Sequence, residues 1–308
     1  MPFEFTKATR KSVPMLISIS GTSGSGKTYS ALLIAAGLAG KDGKVFFADT
    51  ENGRGEMYAD SPGITKALPQ GFSYGRMDAP FSPVRHREII GAAEAAGATV
   101  LILDSMTHEW EGFGGCQEIA EEFKLKGMPN WARAKMDHKR LMNYLLSTNM
   151  HIVFCLRARE KVKIQKDEKG KEQIIPLGIQ PITEKNFVYE MLLSLQLDEA
   201  SHKASPIKVP EPLMGIFGPG KLLTKEDGER IRQWNEGGAS LDPFEQIRKR
   251  ARAAASNGKA AYRAYFETLT AQQKQALCDS IHEELKMDAE MADAEAEKLL
   301  AQEGGRDE

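Results

Sequence analysis

Residues 15–39 read MLISISGTSGSGKTYSALLIAAGLA, and the reading of this stretch decides the fold. The apolar run at 15–20 predicts a strand, and 28–39 carries a helical pattern. Between them, Gly21-Thr22-Ser23-Gly24-Ser25-Gly26-Lys27-Thr28 fits GxxxxGK[ST] in the context that its mechanism demands. Glycines let backbone N–H groups curl around an anion, and the helix N-terminus adds its positive end. Lys27 is expected to reach the β/γ oxygens of a nucleoside triphosphate and Thr28 to ligate magnesium, with Tyr29 closing the nucleotide-binding segment. The implied cofactors are ATP and Mg2+; no Asn-Lys-x-Asp guanine-reading motif occurs, so ATP is the default nucleotide.

Outward from this loop, short apolar runs alternate with helical patterns as far as about residue 197, the signature of an α/β fold with a mainly parallel sheet flanked by helices. Strands are predicted at 15–20, 45–49, 100–103, 151–156 and 191–197. Helices are predicted at 28–39, 83–96 and 131–147, the last with Ala134, His138, Leu141 and Leu145 on one face. A helix start is read at Thr224-Lys225-Glu226-Asp227, followed by a break at Glu236-Gly237-Gly238-Ala239-Ser240. Two domains are therefore expected, a nucleotide-binding domain at 1–238 and a helical module with an acidic tail at 239–308.

The run Val100-Leu101-Ile102-Leu103-Asp104 offers an acid at the end of an apolar strand, where a P-loop protein needs a second group to steer its metal. Asp104 is the candidate. The next residue is Ser105 rather than Glu, so the base that activates water must come from elsewhere on the sheet edge. Glu51 follows a strand ending Phe46-Phe47-Ala48-Asp49-Thr50 and would project beside the γ-phosphate if that strand neighbours the P-loop strand; Glu109 is the second choice.

Asp49-Thr50-Glu51 and Asp104-Ser105, together with the P-loop, resemble the RecA-like recombinase core over roughly residues 12–235. In that family the Glu of an Asp-Thr-Glu or Asp-Ala-Glu strand end activates water, and the metal-steering strand ends Asp-Ser. The resemblance implies a RecA-like sheet and ATP hydrolysis. Size and short N-terminus look most like phage-encoded AAA-type P-loop ATPases, some of which assist single-strand annealing. In one respect the chain departs from the pattern. The strand after Asp104 usually ends in a polar sensor, whereas here residues 151–156 run into Arg157; Arg157 or Arg159 is expected to contact the γ-phosphate instead.

Residues 157–171 carry seven basic side chains against three acids, a local charge of +4 on a protein of net charge −2. Polar-apolar alternation around Asp167-Glu168-Lys169-Gly170 predicts a β-hairpin leaving the nucleotide edge. Arg159, Lys161, Lys163, Lys166, Lys169 and Lys171 are the candidate contacts to single-stranded DNA, which RecA-like proteins bind with loops from that edge. A solvated charged hairpin is the plainer reading. Trp110, Phe113, Phe123 and Trp131, interleaved with glycines and lysines, form a second candidate contact for unpaired bases, although such aromatics more often anchor a loop. Toward the C-terminus a basic stretch from Arg248 to Arg263 gives way to residues 286–308, with eight acids against three bases. RecA-like sites are commonly completed by a basic residue from the next subunit, so a homo-oligomer is expected, with Lys185 or Lys208 as that residue. A single-strand-binding or annealing protein is a further expected partner.

With 308 residues, 41% of them hydrophobic, the chain reads as globular, and its slightly negative charge excludes coating of nucleic acid by bulk charge. Three cysteines, Cys116, Cys155 and Cys278, lie far apart without metal-ligand spacing, which excludes a disulfide framework or zinc ribbon. The N-terminus lacks the apolar core of a signal peptide, and no stretch approaches the roughly 18 apolar residues of a membrane span, so a cytoplasmic protein without membrane contact is expected. The leading functional reading is an ATPase acting on DNA in recombination, annealing or replication. The alternatives are a P-loop kinase, with Arg157 and Arg159 as lid cations, and a nucleotide-gated binding protein with little turnover.

Overall fold

The computed structural model describes residues 7–124, 127–166, 172–237, 243–275, 277 and 279–304. Its strands are β1 (Leu16–Gly21), β2 (Val45–Asp49), β3 (Ser73–Arg76), β4 (Val100–Asp104), β5 (His151–Lys166), β6 (Glu172–Pro181), β7 (Leu193–Leu197) and β8 (Ala204–Lys208). The helices are α1 (Lys27–Ala39), α2 (Pro62–Ala67), α3 (Pro83–Ala95), α4 (Thr107–Glu111), α5 (Cys116–Glu122), α6 (Trp131–Ser147), α7 (Phe187–Glu190), α8 (Lys225–Glu236), α9 (Pro243–Ala255), α10 (Lys259–Thr268), α11 (Ala271–Lys274) and α12 (Asp279–Gly304). The expected α/β class, with a mostly parallel sheet and flanking helices, is what the chain forms.

All the predicted strands are present, and their burial explains why they were readable. β1, β4 and the first half of β5 are buried on both faces, which a sheet covered by helices requires and which makes each read as a continuous apolar run. Neighbours in the sheet run β3-β2-β4-β5-β1-β7-β8, parallel except for β7–β8, and β6 pairs antiparallel with β5 outside this row. The anticipated hairpin is therefore the β5–β6 pair, from Ala158↔Pro181 to Lys166↔Glu172, with a bulge between Lys161 and Val162. Its tip, Asp167 to Lys171, lies outside the described residues, as do Gly238, Ala239 and Ser240 of the expected break.

The core centres on Ile17 and Ile19 of β1, Leu32 and Ile34 of α1, Val153 and Leu195, all buried. Phe154 stacks edge-on against Phe187 at 5.2 Å. α1 and α8 meet backbone to backbone at Gly37 and Gly228, since a Cβ on Gly37 would come within 2.1 Å of the Lys225 carbonyl.

The chain divides into two compact units. One comprises Pro14–Glu118 and Met150–Trp234; the other comprises the described residues of Met1–Val13, Ile119–Asn149 and Asn235–Glu308. In the second unit α9, α10 and α12 pack around Ala251, Tyr262, Ile281 and Leu285. α6 belongs to this unit, with Ala134, His138, Leu141 and Leu145 buried as its spacing predicted.

Candidate active site

Sheet register assembles the site. Asp49 lies opposite Asp104, Asp104 opposite Cys155, and Cys155 opposite Ile19, so the C-terminal ends of β2 and β4 form one row with the inner part of β5 and the last residues of β1. Two residues further along, Gly21 pairs with Arg157. The parallel strands thus deliver the P-loop, the candidate metal acid and the candidate base to one edge of the sheet, where ligands of open α/β sheets bind.

The P-loop leaves β1 at Gly21, where a Cβ would approach Ser25 Oγ to 2.4 Å and force the turn open. Gly24 and Gly26 have φ of 83° and 87°, a left-handed conformation that favours glycine. Gly26 is the N-cap of α1, so Lys27 and Thr28 lie in its first turn. Lys27 is buried and its Nζ donates to the Thr22 carbonyl at 2.7 Å; Ser25 Oγ donates to the same carbonyl at 2.9 Å. Burial holds the Lys27 ammonium below its ordinary value, against the opposing pull of the Asp104 and Glu51 charges. Tyr29 stands apart from the loop, its hydroxyl turned toward Gly63 and its ring 6.1 Å from that of Tyr58.

The Thr28 hydroxyl donates to Asp104 Oδ2 at 2.5 Å. A hydroxyl and a carboxylate so close are hard oxygen donors of the kind magnesium takes, and the positive-φ glycine loop beside them is open at Gly24, where an added Cβ would touch nothing. The residues present therefore fit a magnesium-bound nucleotide. Burial pushes the Asp104 carboxyl up to about 6, the Thr28 hydrogen bond opposing this and the Glu51 charge adding to it.

β2 pairs with β3 and β4, not with β1; the expectation that it neighbours the P-loop strand is corrected, because β4 and β5 intervene. Strand order in a parallel sheet is set by crossover connections, which local pattern does not encode. Glu51 nevertheless reaches across: its Oε1 accepts from Arg157 Nε at 2.6 Å, and its Oε2 accepts from Arg54 Nη1 at 3.2 Å. Two strand spacings, about 10 Å, are bridged by two long side chains. Burial raises the Glu51 carboxyl, but the Arg157 hydrogen bond and the Arg157, His108 and Arg54 charges outweigh it and hold the group below its ordinary value. Asp49 fixes the loop that carries Glu51, accepting from the backbone N–H of Glu51 at 2.5 Å and of Gly55 at 2.7 Å.

The candidate base and the candidate γ-phosphate sensor are thus partners of one another. Arg159 pairs with Glu111 at 3.6 Å, so both arginines named as lid cations are engaged with carboxylates of this chain. Glu109, the second choice for the base, is fully buried and accepts from Cys116 Sγ at 3.2 Å. Lys208 Nζ donates to the Tyr189 carbonyl at 2.5 Å, and Lys185 is exposed. Of the basic arm, Arg159, Lys161 and Lys163 are exposed, whereas Lys169 and Lys171 lie outside the described residues and Lys166 is described only as backbone. Phe113 is exposed, and Phe123 lies under the Arg133 guanidinium at 4.5 Å.

Sequence reasoning missed several residues here. The Thr50 hydroxyl donates to the Ser105 carbonyl at 3.1 Å, accepts from the Ser105 N–H at 2.8 Å and lies 2.7 Å from His108 Nδ1, tying β2 to β4 beside Glu51. Burial, with Arg157 adding, keeps His108 below its ordinary value. Thr22 Oγ1 donates to Glu199 Oε2 at 2.8 Å, and the His202 ring lies against Gly26. These contacts join residues far apart in sequence, and no spacing signal announces them.

A model of the AAA domain family matches residues 14–230. That is most of the chain, which therefore belongs to this family of AAA-type, nucleotide-binding P-loop ATPases. No curated protein matches the chain. No helix among the described residues is long and apolar enough to cross a membrane.

Proposed function

We propose that this AAA-domain protein is a magnesium-dependent ATPase acting on single-stranded DNA, of the RecA-core type that phages use in recombination, annealing or replication. Lys27 and the P-loop amides bind the phosphates of ATP. Thr28 and Asp104 would hold a magnesium ion, which would supply positive charge against the triphosphate. Glu51 orients a water and takes its proton as the water oxygen bonds to the γ-phosphorus and the bond to the β-γ bridging oxygen breaks. Arg157 holds Glu51 ionised and in place, since their contact favours the charged carboxylate.

One observation carries the DNA part of this reading. β5 runs unbroken from its buried half, beside the P-loop strand, through Arg157 into the basic arm, where Arg159, Lys161 and Lys163 are exposed. A polyanion on the arm would thus act two residues from the Glu51 partner. The test is phosphate release from ATP with and without single-stranded DNA at two salt concentrations. Stimulation that weakens as salt rises is the expected result; turnover indifferent to DNA at both salt concentrations contradicts the DNA assignment.

A further inference from the structure

Residues 105–108, directly after Asp104, are bonded to the strands on both sides of β4. Toward β5, Ser105 Oγ and the Met106 N–H both donate to the Cys155 carbonyl, at 3.1 Å and 3.0 Å. Toward β2, the Ser105 N–H donates to Thr50 Oγ1, and the Thr50 N–H donates to the Asp104 carbonyl at 2.7 Å. Two consecutive residues of α4 then reach the two partners of the Glu51–Arg157 pair separately. Thr107 Oγ1 accepts from the Arg157 N–H at 2.9 Å. His108 Nδ1 lies 2.7 Å from the hydroxyl of Thr50, the residue before Glu51, and its ring packs on Phe81 with centroids 4.9 Å apart.

Each tether falls where strand pairing ends or changes. Gly21↔Arg157 is the last pair of β5 with β1, and Ala158↔Pro181 is its first with β6. At this crossing the Thr107 hydroxyl, with one proton and two lone pairs, accepts from the Arg157 N–H and donates to the Ile182 carbonyl at 3.0 Å. The Ile182 N–H donates in turn to the Arg157 carbonyl at 2.8 Å, so the Arg157 backbone is held through both its N–H and its C=O. Thr107 is fully buried; valine would fill the same space, and what threonine adds is these two bonds. On the other side, Asp49↔Asp104 is the last pair between β2 and β4, and Thr50 and Glu51 lie beyond it. Glu51 and Arg157 meet through long side chains with many rotamers, so their contact holds only as well as the backbone beneath each is fixed. We infer that Thr107 and His108 are positioning residues for hydrolysis, Thr107 setting Arg157 and His108 setting the loop that carries Glu51. Both roles rest on Glu51 acting as the base. Neither residue belongs to the P-loop or to the Thr28–Asp104 pair, so their loss should slow cleavage and spare binding.

The test measures ATP affinity and phosphate release in full-length variants, with circular dichroism to check folding. Thr107→Val and His108→Ala are each expected to lower turnover at least about tenfold while ATP affinity stays within about threefold of wild type. Thr107→Ser, which keeps the hydroxyl, is expected to recover most of the turnover. Double variants separate positioning from a general loss of structure. In an Arg157→Ala background Thr107→Val should remove little more, and in a Thr50→Val background His108→Ala should remove little more, because each acts through that partner. His108 is only half-buried, so His108→Ala and Thr107→Ser decide the matter even if Thr107→Val does not fold. Turnover unchanged in Thr107→Val and His108→Ala, ATP affinity falling in step with turnover, Thr107→Ser as slow as Thr107→Val, or undiminished further losses in the double variants overturn the inference. Glu51→Gln, assayed alongside, distinguishes two failures. If it leaves turnover intact, the base assignment and the positioning roles fall together; if it abolishes turnover while Thr107→Val and His108→Ala do not lower it, only the positioning roles fall.

Discussion

β5 is one strand in two environments. Its first half, through Leu156, is buried between β4 and β1 and helps form the row that carries Asp104. From Ala158 onward it pairs with β6, and it is exposed from Arg159 to Gln165. In the buried half a side chain works through packing and through the low dielectric around it, so charge there shifts its proton equilibrium. In the exposed half, charge is screened and acts mainly on what binds. Neighbouring residues of one strand thus answer to different physics, and substitutions should tell them apart.

The largest difference is expected in stability. Phe154→Ala empties a fully buried site beside Phe187 and should cost about 3–5 kcal/mol in urea unfolding. Ile164→Ala, ten residues along the same strand but exposed, should change stability in dilute protein by no more than about 0.5 kcal/mol. Similar costs at both positions would erase the distinction.

A smaller effect of opposite sign is expected at Asp104. Its carboxyl is displaced from an ordinary 3.8 up to about 6 in the folded protein. The folded state therefore holds that proton more tightly than the unfolded state. The destabilisation from a buried charge is absent at pH below 3.8, grows through the window up to about 6 and is complete above it. Asp104→Asn, which keeps an acceptor for Thr28, should gain up to about 3 kcal/mol near neutral pH in the presence of a chelator, and nothing at acid pH. It should also lose magnesium-dependent turnover. A variant less stable than wild type at neutral pH would contradict the burial argument.

The smallest effect belongs to the arm. If four phosphates of single-stranded DNA are neutralised there, log affinity should fall with log salt with a slope of about −3, and Lys161→Ala or Lys163→Ala should each make the slope shallower by roughly 0.7. A salt titration by fluorescence anisotropy reads this directly. Slopes unchanged by both substitutions would remove the arm from the DNA contact.

The same contrast explains what the sequence revealed. Residues 15–20, 45–49, 100–104 and 151–156 are long apolar runs because both faces of those strands are covered, and the P-loop is a local motif whose glycines answer to backbone geometry. The short strands left no such mark. β3 is Ser-Tyr-Gly-Arg at the edge of the sheet, and β8 contains Pro206, which an edge strand tolerates. β6 read only as part of a hairpin. At the site, the sequence pointed to Lys27, Thr28, Asp104 and Glu51 one by one, yet not to the Glu51–Arg157 pair. Those residues are 106 positions apart, and their meeting depends on register across three strands. The Thr50–Ser105–His108 tie was hidden for the same reason.

The most direct test of the site is Glu51→Gln, with ATP affinity and phosphate release measured on the same preparation. The substitution keeps the size of the side chain and removes its charge, so it separates holding the nucleotide from cleaving it. Affinity within about threefold of wild type, with turnover reduced at least about 100-fold, is the predicted result. Turnover close to wild type would contradict the assignment of Glu51 as the base.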